Sequence, residues 1–191
     1  MDEDMDRPRR IVFLGDSITA SGDWAGWFPD ADTVNLGVSG NKTDDVLERI
    51  DDVIAAAPDD ISLLVGTNDL GHRLSVEHVV RNIQLLLVEL RRTLPGTRML
   101  LQSIMPRGAE FAEQVQEANI HLWQFAPTVH AQYLDVWPAL AGDDGGIRPE
   151  FSGDRLHLTP EGYEAWLVEL RPALERLRDE PPMSRPIQII G

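Results

Sequence analysis

The chain has 191 residues, 42% apolar and 26% charged, the balance of a globular protein long enough for one sizeable core and too short for two. Its 32 acidic residues against 17 basic ones give a formal charge of −15, which argues against the basic face that nucleic acid or an anionic membrane surface would need. No cysteine is present, so disulfides, thiolate metal sites and a cysteine nucleophile are excluded.

Met1 to Arg10 is acidic before it is basic and has no apolar segment, which reads as no signal peptide and gives a cytoplasmic protein as the expectation. No later run has the length to span a bilayer. Residues 11–14, Ile-Val-Phe-Leu, predict a first strand, stopped by Gly15-Asp16-Ser17. A serine there stands at a strand end, where its oxygen can meet a substrate. Trp24, Trp27 and Phe28 follow at helix-like spacing and read first as core, with a ring against a sugar or an acyl pocket as the second reading.

A second strand over 33–36 leads into Gly37-Val38-Ser39-Gly40. Thr43 or Asp44 then caps a helix whose stripe is Val46, Leu47, Ile50, Val53, Ile54 and Ala57, ended by Pro58. The continuous apolar run 61–65 predicts a strand covered on both faces, followed by Gly66-Thr67-Asn68-Asp69. Ser75 caps a long helix stopped by Pro95-Gly96. A fourth strand over 99–104 precedes Pro106-Arg107-Gly108, then a helix over about 110–126 and a fifth strand over 133–136. After a glycine- and aspartate-rich loop, Thr159-Pro160 opens a terminal helix to about Arg178. Residues 1–179 thus read as one domain and 180–191 as a proline-containing tail. Trp123, Trp137 and Trp166 are assigned to core packing.

This alternation predicts right-handed βαβ crossovers and a mostly parallel sheet in a three-layer α/β/α fold. Ligands of such sheets bind beyond the carboxyl ends of the strands. Ser17, Gly40, Asn68 and the Asp154-Arg155-Leu156-His157 stretch each follow a strand, so all four converge on one rim. The residue types suit acyl transfer. His157 can take the proton of a Ser17 hydroxyl near neutral pH, and Asp154 can orient its ring. The N–H groups of Ser17 and Gly40 and the Asn68 amide would receive the oxyanion. Each has a plainer reading alone: Asp-x-x-His as a capping turn, Asn68 as a turn residue, Gly40 for its backbone angles. Asp16 and Asp69 read as braces of their loops. The five histidines lack metal-ligand spacing, and no metal or cofactor is expected.

Gly15-Asp16-Ser17, Gly40, Gly66-Thr67-Asn68-Asp69 and Asp154-x-x-His157 resemble, in order and spacing, the four blocks of the SGNH or GDSL-type hydrolases. Val65-Gly66-Thr67-Asn68, Met105-Pro106-Arg107-Gly108 and Leu156-His157-Leu158-Thr159-Pro160-Glu161-Gly162-Tyr163 are similar to the platelet-activating-factor acetylhydrolase branch. The resemblance implies a flavodoxin-like five-stranded parallel sheet of order 2-1-3-4-5, no metal, and ester hydrolysis through an acyl-serine. It assigns Ser17 as nucleophile, His157 as base, Asp154 as its orienter, and Gly40 and Asn68 to the oxyanion hole. Family members commonly carry Asp-Thr-Thr after the glycine, where this chain has Asn41-Lys42-Thr43. Lys42, its sole lysine, reads either as solvated or as a contact to an anionic or polyhydroxylated substrate. Arg107 is a further substrate-facing candidate. Short segments between blocks point to an open site for a small acyl group, acetyl first, on a carbohydrate or other small-molecule ester. An acyltransferase and a non-catalytic carbohydrate-binding protein stand as alternatives, and a homodimer is left open.

Overall fold

The apolar runs become strands because helices cover both faces of the sheet they form. The computed structural model describes residues 7–179. Strands β1 (Arg10–Gly15), β2 (Asp32–Gly37), β3 (Asp60–Leu64), β4 (Arg98–Gln102) and β5 (Ala131–Leu134) make one parallel sheet of order β2-β1-β3-β4-β5. In register, Val12 lies beside Val34 on one flank and Ile61 on the other. After β1 come α1 (Ser17–Ala20) and α2 (Trp24–Trp27), and after β2 come α3 (Thr43–Glu48) and α4 (Ile50–Ala55). After β3 follow α5 (Thr67–Gly71) and α6 (Val76–Thr93), then α7 (Ala112–Phe125) after β4, and α8 (Trp137–Leu140) and α9 (Pro160–Asp179) after β5.

The period of two along β1 divides the core. Val12 and Leu14 join Val46, Val53, Val79, Ile83, Leu87 and Leu122 from α3, α4, α6 and α7. Ile11 and Phe13 join Ile18, Trp24, Leu140, Trp166 and Leu170 from α1, α2, α8 and α9. The expected three layers and strand order are therefore present.

Several element boundaries differ from the sequence reading. The helix predicted from Thr43 to Ala57 is two, broken at Arg49 with φ −112° and ψ 25°. Its cap is Lys42 rather than Thr43 or Asp44, because the Lys42 N–H donates to Asp45 Oδ2 at 2.7 Å while the Thr43 hydroxyl turns away to Asp69. Strand β4 stops before Ile104, whose N–H and C=O are both held by the Asn119 side chain at 2.8 and 2.9 Å. Strand β5 sits two residues earlier than predicted, since the Val136 N–H has left the ladder for the Ser103 hydroxyl at 2.9 Å. Trp166 is fully buried, but Trp123 is 59% exposed. The buried stripe of α7 is Val115, Ala118, Asn119 and Leu122, and position 123 lies one residue off it. The 180–191 tail lies outside the described residues.

Candidate active site

The nucleophile turn is set by tight packing at the end of β1. A Cβ at Gly15 would overlap the Leu64 carbonyl and the Thr19 side chain, so only glycine lets the chain turn there. Asp16 caps α1 by accepting the Ile18 N–H at 3.0 Å, and Ser17 is the first helical residue. The Ser17 Oγ lies 3.0 Å from His157 Nε2, across 140 residues of chain.

His157 is oriented by its own loop. Its Nδ1 lies 2.6 Å from Asp154 Oδ2. The other oxygen, Oδ1, accepts the N–H of Leu156 at 3.0 Å, that of His157 at 2.7 Å and the Ser152 hydroxyl at 3.2 Å. Arg155 adopts a left-handed φ of 62° between the two partners, so the turn closes on itself. The hydrogen bond to His157, joined by these N–H groups, holds the Asp154 carboxyl well below the usual carboxylate range. With Nδ1–H directed to Asp154, Nε2 is left as the acceptor facing the Ser17 hydroxyl.

Two further turns complete the rim. Gly40 has φ 80°, and nothing lies within 4 Å of where a Cβ would sit, so its backbone borders open space. The Asn68 Nδ2 donates one proton to the Asn41 carbonyl at 2.9 Å and keeps a second. Among the described residues no acceptor takes the Ser17 or Gly40 N–H. Behind the rim, buried Asp69 accepts the Thr43 N–H at 3.0 Å and its hydroxyl at 2.5 Å, and that hydroxyl accepts from Asn82 Nδ2 at 2.9 Å. Burial raises the proton affinity of Asp69, and it pushes Asp16 up to about 6. Asn82 is part of the brace that the sequence did not disclose; a polar residue inside the α6 stripe was its only trace.

The family model of the GDSL-like Lipase/Acylhydrolase family matches residues 13–165. The chain belongs to this family. Among its curated relatives is the platelet-activating factor acetylhydrolase IB subunit alpha1 of Pongo abelii, 29% identical over 183 residues, covering 90% of this chain and 78% of the relative. Among solved structures, a GDSL-like lipase from Bacteroides thetaiotaomicron superposes with a TM-score of 0.78 at 23% identity, over 88% of each chain. An acetyl-xylooligosaccharide esterase from Geobacillus Stearmophilus gives 0.71 at 20% identity, over 93% of this chain and 97% of the other. At those identities the likeness is one of fold.

The remaining candidate residues are placed differently from one another. Lys42 stands one residue past Asn41 at the head of α3, half-buried beside the Gly40 turn. Trp24 does not reach the rim as a substrate contact. It is 2% exposed, stacked on Phe13 at 3.8 Å between ring centres, with its N–H on the Thr19 carbonyl at 2.9 Å. Arg107 lies next to α5, its Nη1 donating to the Thr67 carbonyl at 2.7 Å and its guanidinium 4.1 Å over the Phe111 ring. It braces the turn that carries Asn68. Asp44, Asp69 and His78 bring three ligand-type atoms within 4.8 Å of one another, but His78 Nε2 already pairs with Asp44 at 2.8 Å and Asp69 with Thr43. A groove of about 940 Å³ between α7, β5 and the end of α9, lined by Ile120, Trp123 and Tyr133, shares no residue with the rim. Among the described residues no helix is long and apolar enough to cross a membrane.

Proposed function

We propose that the protein is a serine esterase that releases a short acyl group, acetyl foremost, from an alcohol ester through an acyl-serine intermediate. The observation that carries this is the unbroken chain from the Ser17 hydroxyl to His157 at 3.0 Å and from His157 to Asp154 at 2.6 Å. The Ser17 proton moves to Nε2 as Oγ attacks the ester carbon, and the Asp154 carboxylate stabilises the imidazolium that forms. The carbonyl oxygen becomes an oxyanion held by the N–H groups of Ser17 and Gly40 and the free proton of the Asn68 amide. The imidazolium then protonates the leaving oxygen and the alcohol departs, leaving the acyl group on Ser17. Water, deprotonated by Nε2, attacks that ester; collapse returns Ser17 and releases the carboxylic acid.

An open setting supports the short acyl group in this reading. His157 and Asp154 are both exposed, and Ser17, 8% exposed, lies beneath them at the end of β1, so the nucleophile is reached past a surface loop. Similarity to a relative named an acetylhydrolase and to the fold of an acetyl-xylooligosaccharide esterase supports acetyl. Lys42 would meet an anionic or polyhydroxylated leaving group, so Lys42→Ala is expected to raise KM for anionic esters. The test is a panel of p-nitrophenyl esters of rising chain length, acetylated sugars and phospholipid analogues, run beside Ser17→Ala. Hydrolysis is expected to be fastest for acetyl esters and to fall by roughly 10³-fold or more in the variant. A Ser17→Ala protein as active as the parent would end this reading.

A further inference from the structure

The three donors of the cradle sit on three different turns, so something must fix those turns relative to one another. Backbone contacts do part of this: the Val38 N–H reaches the Gly15 carbonyl at 3.1 Å, and the Asn41 N–H closes the Gly40 turn on the Val38 carbonyl at 3.1 Å. One side chain spans what is left. Arg49 Nε donates to Asn41 Oδ1 at 2.7 Å, and its Nη2 donates to the Gly15 carbonyl at 3.0 Å. Gly15 precedes Asp16-Ser17, Asn41 follows Gly40, and the Asn41 carbonyl holds the Asn68 amide. A single half-buried guanidinium thus links the turns bearing all three donors.

From this geometry we infer that Arg49, acting through Asn41, is a positioning residue that sets the Asn68 amide and the Gly40 N–H for the oxyanion. The inference rests on the esterase reading for its catalytic half. Arginine suits the task because its planar fork offers two donors in fixed relative directions, which a lysine ammonium does not. The break between α3 and α4 falls on this very residue, where an unbroken helix would serve the apolar stripe better. Asn41 also departs from the aspartate commonly found after the family's glycine. Its neutral amide oxygen still accepts from the guanidinium, so the link does not need the charge.

The experiment compares Arg49→Ala, Arg49→Lys, Asn41→Ala, Asn41→Asp, Asn68→Ala and the double variant Arg49→Ala/Asn68→Ala, with Ser17→Ala as the control for the hydrolase reading. On p-nitrophenyl acetate, Arg49→Ala is expected to lose about 10–10² in kcat, below the 10²–10³ typical of deleting an oxyanion donor, with KM changed less than about threefold. Arg49→Lys loses nearly as much, and Asn41→Asp, which keeps an acceptor, loses less than Asn41→Ala. The double variant falls by less than the product of the two single losses, because only the Gly40 share of the Arg49 effect remains once the Asn68 amide is gone, and added guanidinium ion restores part of the Arg49→Ala rate. Independently of activity, the Asn68 side-chain amide proton held by Asn41 should exchange faster by NMR in Arg49→Ala. Losses that multiply in the double variant, a KM-only effect, or an unchanged Asn68 amide would overturn the inference. If the parent is no faster than Ser17→Ala, the esterase reading fails, and the amide signal alone decides whether the brace exists.

Discussion

Asp16 offers a test in which stability and activity should move in opposite directions. Its side chain is 1% exposed, and one oxygen accepts the Ile18 N–H at 3.0 Å. Burial, aided by the like charge of Asp69, raises its pKa from 3.8 to about 6. The folded protein therefore holds a proton that the unfolded chain has already released. Between about pH 4 and pH 6 the folded state binds more protons, so wild-type stability contributed by this group falls as pH rises. Above that window the destabilisation is complete. At 1.36 kcal/mol per factor of ten in proton affinity, it amounts to about 3 kcal/mol.

Asp16→Asn is nearly isosteric, keeps an oxygen for the Ile18 N–H and cannot ionise. The variant should match the wild type in stability near pH 4 and exceed it by about 3 kcal/mol at pH 7. Urea titrations at pH 4, 5, 6 and 7, read by tryptophan fluorescence, would follow the difference. The same carboxylate is stabilised by the charge of His157, so its loss should also lower turnover at pH 7, where it helps the imidazolium form. A difference in stability that does not change with pH would refute the reasoning, because it would mean that Asp16 titrates alike in both states.

Other outcomes follow from the same contacts. Asp154→Asn should lower kcat by about 10²–10⁴-fold, because an amide can present a donor to Nδ1 and favour the wrong tautomer; unfolding curves should barely move, and an unchanged kcat would remove Asp154 from the reaction. Thr43→Val deletes the hydroxyl between Asp69 and Asn82 and should cost about 1–3 kcal/mol by urea denaturation, with no cost expected only if those buried groups find other partners. Trp166→Ala should cost about 3–5 kcal/mol, whereas Trp123→Ala should stay within about 0.5 kcal/mol. Equal losses at the two tryptophans would contradict their exposures of 0% at Trp166 and 59% at Trp123.

How far the sequence discloses the structure depends on the range of the interactions involved. The strands were legible because runs such as Ile11 to Leu14 are read from neighbours in the chain, and the strand order came with the resemblance to the family. The rim was legible because Ser17, Gly40 and Asn68 each follow a strand directly. The break at Arg49 was not, since the stripe from Val46 to Ile54 continues across it and the deviation answers to Gly15, a partner 34 residues away. The end of β5 was lost in the same way, to Ser103, 33 residues back. Trp123 was misplaced because tryptophan alone suggested core. Position 123, eight residues past Val115 and four past Asn119, falls at the edge of the α7 stripe, and only the packing of the whole fold leaves that edge exposed.

Three aspartates, Asp16, Asp69 and Asp154, stand around the same rim, and residue type cannot divide their labour. Environment does. Asp154 is exposed and surrounded by donors from His157, Leu156 and Ser152, so its charged form is favoured and is available to a forming imidazolium. Asp16 and Asp69 are buried, and their proton affinities rise despite the donors that Ile18 and Thr43 supply. The exposed carboxylate is thus suited to meet the forming cation directly, while the two buried ones hold turns in place, Asp16 adding the more distant field of its charge once it ionises. Exchanging those roles would demand a desolvated carboxylate beside a cation that appears only transiently, and the resting state would then favour its neutral form. A donor-rich surface turn avoids that conflict, which gives a physical reason for an orienting acid on an exposed loop three residues before the histidine.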